Sequence, residues 1–293
     1  MRGKGVVVAA VIVALIASAC GVEASPHLTV VARDYAFGDV PPVIHGGPTS
    51  VTFRNEGQAT HELAFIRIGD TPLEKFKKEF PAVFEGAPIP SYITAVAGAF
   101  EAEPGKTIDE KLTLAPGRWL LMCALQDKPG PADDEMEDSN APIHFNLGMT
   151  KWVEVEGESD ELEAPDGTIS AKDYTFEVPP LKGGDNELVF RNVGPKQFHF
   201  GVLFGFPAGT TTQQAEAGFA QGLAVPEGQP PPPGVQEPED VSFSGVFSPG
   251  LGGTWHVNLE SGRTYLLACF LQDLAGGPPH AVKYKMFKAF TVG

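Results

Sequence analysis

Positive charge is scarce in this chain: 21 lysines and arginines stand against 37 aspartates and glutamates over 293 residues, a net charge of −16. Such a balance repels the phosphates of nucleic acid and anionic lipid headgroups, so neither is an expected partner. No Gly-rich phosphate loop and no nucleophile elbow occur, which removes two common signatures of enzyme chemistry. Long apolar runs are missing too. The run VVVAAVIVALIASA near the N-terminus covers 14 residues, short of the roughly 20 that a membrane helix needs. Cysteine is the rarest of the absentees that matter, with three residues in all.

That short apolar run follows Arg2 and Lys4, and the combination reads as a signal peptide over residues 1–19. It ends in ASAC, with Cys20 followed by Gly21, and this ending resembles the lipobox of bacterial lipoproteins. The resemblance implies a lipid on Cys20 and a tether over residues 20–26. Ala17-Ser18-Ala19 also suits an ordinary signal peptidase, which would make the chain secreted instead. Both routes place the mature protein outside the cytoplasmic membrane, with 19 basic and 37 acidic residues and a charge of −18. A basic partner protein suits that charge. With Cys20 lipidated, Cys123 and Cys269 remain. Extracytoplasmic cysteines normally pair, but these two sit in separate repeats, so each thiol is expected to be buried or metal-bound.

The repeat is visible in the text. ARDYAFGDVPP (32–42) returns as AKDYTFEVPP (171–180), and VTFRNEGQATHELAF (51–65) as LVFRNVGPKQFHFGVLF (188–204). GRWLLMCALQD (117–127) returns as GRTYLLACFLQD (262–273), and MTKWVEV (149–155) as MFKAFTV (286–292). Two units follow, 27–155 and 168–293, joined by the acidic linker 156–167. Short β-prone runs bounded by Gly, Pro and Asn predict an all-β fold, a sandwich of antiparallel strands per unit. Each unit adds one helical segment on a long connection, TPLEKFKKEFPAVFEG and TTTQQAEAGFAQGL. The Pro-rich stretch 226–240 predicts an exposed extended loop.

Strand alternation says which side chains face inward. His61 shares a face with Leu63 and Phe65, and His199 is expected to head the equivalent strand. Cys123 alternates with Trp119, Leu121 and Leu125, and Cys269 with Tyr265, Leu267 and Leu271. His144 and Met149 follow in one unit, His280 and Met286 in the other. Two imidazoles and a thiolate suit copper in a trigonal plane, with a thioether as weak axial ligand.

NEGQATHELAF, with its Asn-x-Gly before the His strand, and the later Cys…His…Gly-Met resemble the plastocyanin-like (type 1 blue copper) cupredoxin family, once per unit. The resemblance implies two tandem Greek-key β-sandwiches and one-electron transfer through copper with a redox partner protein. It nominates His61, Cys123, His144 and Met149, and His199, Cys269, His280 and Met286. The chain departs from the family in two places. Twenty residues separate Cys123 from His144 and ten separate Cys269 from His280, and long loops must be ordered by other contacts. The His280–Met286 interval is also one residue longer than His144–Met149 and lacks the Gly.

Other readings of the same residues are a metal-free envelope module, in which His, Cys and Met pack or hydrogen-bond, and a protein that stores or delivers copper. Two-domain cupredoxin enzymes flank the Cys with His or carry His-x-His pairs for a second copper site. This chain has seven histidines and neither feature, so the expectation is that it is not an enzyme. His256 is expected to face solvent, and the acidic stretch 132–140 to be a solvated loop.

Overall fold

The computed structural model describes residues 27–126, 141–157, 161–226, 229 and 238–293. Cys20, the signal segment 1–19, the acidic stretch 132–140 and most of the Pro-rich stretch lie outside these. The first half contains β1 (His27–Arg33), β2 (Ala36–Gly38), β3 (Val43–His45), β4 (Gly47–Asn55), β5 (His61–Arg67), β6 (Ala95–Ala102), β7 (Thr107–Leu114), β8 (Gly117–Met122) and β9 (Thr150–Glu156). The second contains β10 (Thr168–Lys172), β11 (Thr175–Glu177), β12 (Gly184–Asn192), β13 (Val202–Gly205), β14 (Glu239–Phe243), β15 (Val246–Phe247), β16 (Gly252–Leu259), β17 (Thr264–Ala268) and β18 (Phe287–Thr291). The helices are α1 (Leu73–Glu79) and α2 (Pro81–Phe84) in the first half, α3 (Thr212–Gly222) and α4 (His280–Lys283) in the second.

Each half is a two-sheet sandwich, and the fold is all-β and cupredoxin-like. Strands β2-β1-β4-β7 face β6-β5-β8-β9-β3, and β11-β10-β12-β16 face β14-β13-β17-β18. The pairing is mixed rather than purely antiparallel, because β1–β4, β3–β9 and β10–β12 run parallel. Parallel neighbours need a connection longer than a hairpin turn between them.

β4 shows how the sequence makes a sandwich wall: Thr49, Val51, Phe53 and Asn55 are buried and alternate with half-buried or exposed neighbours. β8 breaks that alternation, with Trp119 to Met122 all buried. Its second face is covered by α1 and part of the second half, in a cluster holding Phe76, Leu120, Met122 and Phe198. In the second half α3 covers the corresponding face, placing Ala215 and Phe219 one turn apart on Phe204 and Leu266. A capping box between Thr211 and Gln214 sets the start of α3. Each fully buried aromatic of this kind contributes roughly 1.5–3 kcal/mol.

The two halves share one sheet. β16 pairs with β7 at Gly253–Leu112, giving eight strands in register order β11-β10-β12-β16-β7-β4-β1-β2. Thr113 Oγ1 accepts from the Gly252 amide at 2.7 Å, and Thr254 Oγ1 from the Lys111 amide at 2.8 Å. A Cβ on Gly253 would lie 2.7 Å from the Phe247 ring and 2.9 Å from Leu112, so the close approach requires glycine. β15 joins the first half's other sheet by pairing with β6.

Candidate metal centres

The ligand candidates converge in both halves. His61, Cys123 and His144 have donor atoms within 4.8 Å of one another, as do His199, Cys269 and His280, and all six residues are buried. In the first half Nδ1 of His61 and Nδ1 of His144 are 3.2 Å apart, and Cys123 Sγ is 3.3 Å from His144 Nδ1. In the second, Cys269 Sγ lies 3.9 Å from His199 Nδ1 and 3.5 Å from His280 Nδ1. A trigonal ion with bonds of about 2.0 Å to nitrogen and 2.3 Å to sulfur holds its donors about 3.5 Å (N···N) and about 3.7 Å (N···S) apart. The second half straddles that spacing and the first is contracted by a few tenths of an ångström. Met149 and Met286 are fully buried, and each carbonyl accepts from its half's cysteine amide, at 3.4 and 3.1 Å.

Local structure explains the convergence. Asn55 and Asn192, both buried, each make three hydrogen bonds. The Asn55 amide donates to the carbonyls of Ala59 and Ala102, both at 2.8 Å, and its oxygen accepts from Gly57 N–H. Asn192 donates to Gln197 and Phe247 and accepts from Gly194 N–H. The turn leading into each first histidine is thereby fixed. His61 opens β5 as expected. His199 precedes β13 and is held by a lone bridge to Phe247 instead, because the Phe247 backbone supplies both its partners, at 3.1 and 2.9 Å.

The ligand loops close alike despite their lengths. His144 N–H donates to Leu125 O and Phe145 N–H to Cys123 O; His280 N–H donates to Leu271 O and Ala281 N–H to Cys269 O. The longer excursion of the first half is pinched at its base by the Gln126–Ile143 bridge and by Gln126 Nε2 donating to Ala141 O at 2.8 Å. Met149 N–H and Met286 N–H return to the carbonyls of His144 and His280. Where the first half uses Gly148 at φ +117°, the second puts Lys285 at φ +55°, so the left-handed turn before Met persists without glycine at some strain.

Three groups around the sites escaped the sequence reading. Tyr35 and Tyr174 stand edge-on to both imidazoles of their half, with centroids 5.0 Å from the second histidine in each case. Both rings are presented by consecutive left-handed residues, Asp34-Tyr35 and Asp173-Tyr174, and the repeated Asp-Tyr-x-Phe was the available signal. Asp273 accepts from the hydroxyls of Tyr174 (2.8 Å) and Tyr284 (2.7 Å) and from Lys283, and lies 3.4 Å from His280 Nε2. Burial pushes its carboxyl up, but Lys283 and the two hydroxyls outweigh that and hold it down at about 2. Its counterpart in the first half, Asp127, lies outside the described residues. Glu62 sends its amide to Cys123 Sγ at 3.1 Å, and its carboxyl is pushed up to about 7 by burial and by Glu101.

Burial keeps both thiols and the second half's imidazoles uncharged. Burial lowers His199 to about 4, aided by His280, and lowers His280 as well. Imidazoles so placed are neutral at pH 7 with a lone pair to offer. Burial pushes both thiols up to about 12, so without a cation they stay protonated and unreactive. Both are free of disulfides. His256 is exposed on β16, as its phase predicted. Among the described residues no helix is long and apolar enough to cross a membrane.

No protein-family model matches the chain, and no curated protein matches it by sequence. Solved structures do. A dithionite-reduced auracyanin from Roseiflexus castenholzii is 20% identical over 46% of this chain and 99% of its own, with a TM-score of 0.30. A multicopper oxidase is 15% identical over 91% of this chain and 88% of its own, at 0.23. A Cu-containing nitrite reductase from Thermus scotoductus is 14% identical over 91% and 61%, at 0.22. The last two are enzymes by name, and they overturn the expectation that this chain is not one.

Proposed function

We propose that the chain is a tandem cupredoxin-like copper protein that works outside the cytoplasmic membrane, anchored by a lipid on Cys20. Its units are 27–155 and 168–293. His61, Cys123, His144 and Met149 hold copper in the first, and His199, Cys269, His280 and Met286 in the second. The observation that carries this reading is the convergence of two Nδ1 atoms and one Sγ, buried, in each half.

Copper so held supplies one-electron chemistry with little rearrangement between its oxidation states. The chain's own groups do the rest. The imidazoles of His199 and His280 stay neutral, the thiols yield their protons only to a bound cation, and the Tyr35 and Tyr174 rings shield the histidine pair of their own half. Asp273 holds a carboxylate 3.4 Å from the far nitrogen of His280, the side from which carboxylates orient metal-bound histidines elsewhere. A redox partner protein exchanges electrons at this end of the sandwiches.

The test is to add Cu(II) to the purified protein and record the visible spectrum. Intense thiolate-to-copper absorption is expected, reduced in Cys123→Ser and in Cys269→Ser and lost when both are replaced. No such absorption in the unaltered chain ends the reading. A metal-free role has its specific support in the first half, where the 3.2 Å between the imidazole nitrogens of His61 and His144 is a hydrogen-bond length shorter than a shared ion would set. Cys269→Ser decides it, since its spectrum reports only the first half. The lipid is tested by mass spectrometry of the mature N-terminal peptide, which carries acyl chains on Cys20 or begins unmodified.

A further inference from the structure

An apolar cavity of about 490 Å³ lies where the two halves meet. The rings of Phe80, Phe84, Phe198 and Phe270 contribute to its wall, and only Glu62 and Gln272 among the described lining residues carry polar side chains. Gln272 is committed to the wall, since its amide donates to Ala87 O at 2.7 Å and Val83 O at 3.3 Å and so pins α2. Glu62 is half-buried, with Oε1 accepting from the Ala124 amide at 3.3 Å. The cavity is therefore preformed and nonpolar, with a single carboxyl acceptor.

The repeats diverge where they face it. Glu62 stands where the second half has Phe200, Phe198 where the first has Thr60, and Phe270 where the first has Ala124. Packing inherited from the duplication would not place one acid opposite two rings. The size and lining are those of a small-molecule site at a domain junction, and it abuts both candidate centres: Glu62 and Ala124 neighbour His61 and Cys123, while Phe270 and Pro279 neighbour Cys269 and His280.

We infer that this cavity binds a hydroxylated aromatic molecule of the phenol or naphthol class, its ring among the phenylalanines and its O–H donated to Glu62. Flat rings suit the aromatic wall. A donor adds to the bond that the carboxyl already accepts from the Ala124 amide, and a molecule without one adds none.

The probe is 2-naphthol, titrated by its fluorescence into the metal-free full-length protein, with 2-methoxynaphthalene as the analogue that has no donor. One 2-naphthol per chain is expected, with the methoxy compound at least tenfold weaker. Val83→Trp fills the cavity from a half-exposed position on α2 and is expected to weaken 2-naphthol at least tenfold with unchanged melting. Glu62→Leu brings 2-naphthol down to the level of the methoxy compound. Absence of saturable binding, equal binding of the two probes, or full affinity in Val83→Trp overturns the inference. The assay needs no metal: binding without copper absorption defeats only the copper reading, and copper absorption without binding defeats only this one.

Discussion

Asp273→Asn is the sharpest single perturbation of the second centre. The carboxylate is buried and accepts from Tyr174, Tyr284 and Lys283 while approaching His280. Asn preserves the shape but keeps one acceptor oxygen and turns an N–H₂ toward groups that are themselves donors. At least one tyrosine hydroxyl loses a charge-assisted bond, worth about 1.5–3 kcal/mol. The Lys283 pair adds less, because that side chain is 39% exposed and screened. Urea unfolding of the metal-free protein should therefore show a loss of about 2–4 kcal/mol. Metal affinity has a separate expectation: removing a carboxylate that orients a ligand histidine lowers it about 10–100-fold. The assay is copper titration in a Cys123→Ser background, where only the second half reports. Stability within about 0.5 kcal/mol of the parent together with unchanged affinity would refute the role given to Asp273.

Other outcomes follow from the same geometry. Asn192→Ala and Asn55→Ala each strand two carbonyls and one amide in a buried turn, and each should cost about 3 kcal/mol by denaturant unfolding while weakening copper absorption in its own half. Glu110 sits at the junction of the halves, its carboxyl pushed up to about 7 by burial against the opposing hydrogen bond from Thr254. The folded state thus holds its proton more tightly than the unfolded chain, so stability falls as pH rises from the ordinary 4.5 to about 7, by at most about 3 kcal/mol. Glu110→Gln should flatten that slope relative to the parent, leaving the share due to Glu62, and identical pH profiles would contradict it. Removing ten residues from 127–140 halves the interval between Cys123 and His144, which should raise stability by only about 0.6 kcal/mol and leave the spectrum unchanged. A lost or shifted band would mean that the excursion itself shapes the site.

The sandwiches were legible because β propensity, turn residues and period-two patterning agree along most strands, and β4 carries the alternation unbroken. One helical segment per half was legible, but the first divides at Phe80 into α1 and α2, and α4 at His280–Lys283 was not foreseen. What alternation could not convey is β8, buried on both sides because α1 and the other half cover its outer face, an effect of tertiary contact alone. The shared sheet was invisible for the same reason. Its joint depends on Gly252 and Gly253, which in the sequence read as one more turn signal within β-prone text, and on Thr113 and Thr254 hydroxyls that carry no period.

The ligand order was readable, but the sequence posed a conflict between a conserved-looking order and unequal loop lengths. Loops of such length must be ordered by other contacts. The chain resolves this by hydrogen-bonding the residues on either side of the excursion. The Leu125–His144 and Leu271–His280 contacts are equivalent, so the neck is closed alike in both halves and the imidazole re-enters at a fixed point. The cost of closing a loop grows only logarithmically with its length, whereas a lost neck bond costs about 1 kcal/mol outright. Insertions beyond the neck are therefore cheap and mismatches within it are not. The extra residue between His280 and Met286 does fall within it, and there the chain takes a helical turn, α4, followed by a left-handed lysine to bring the methionine home.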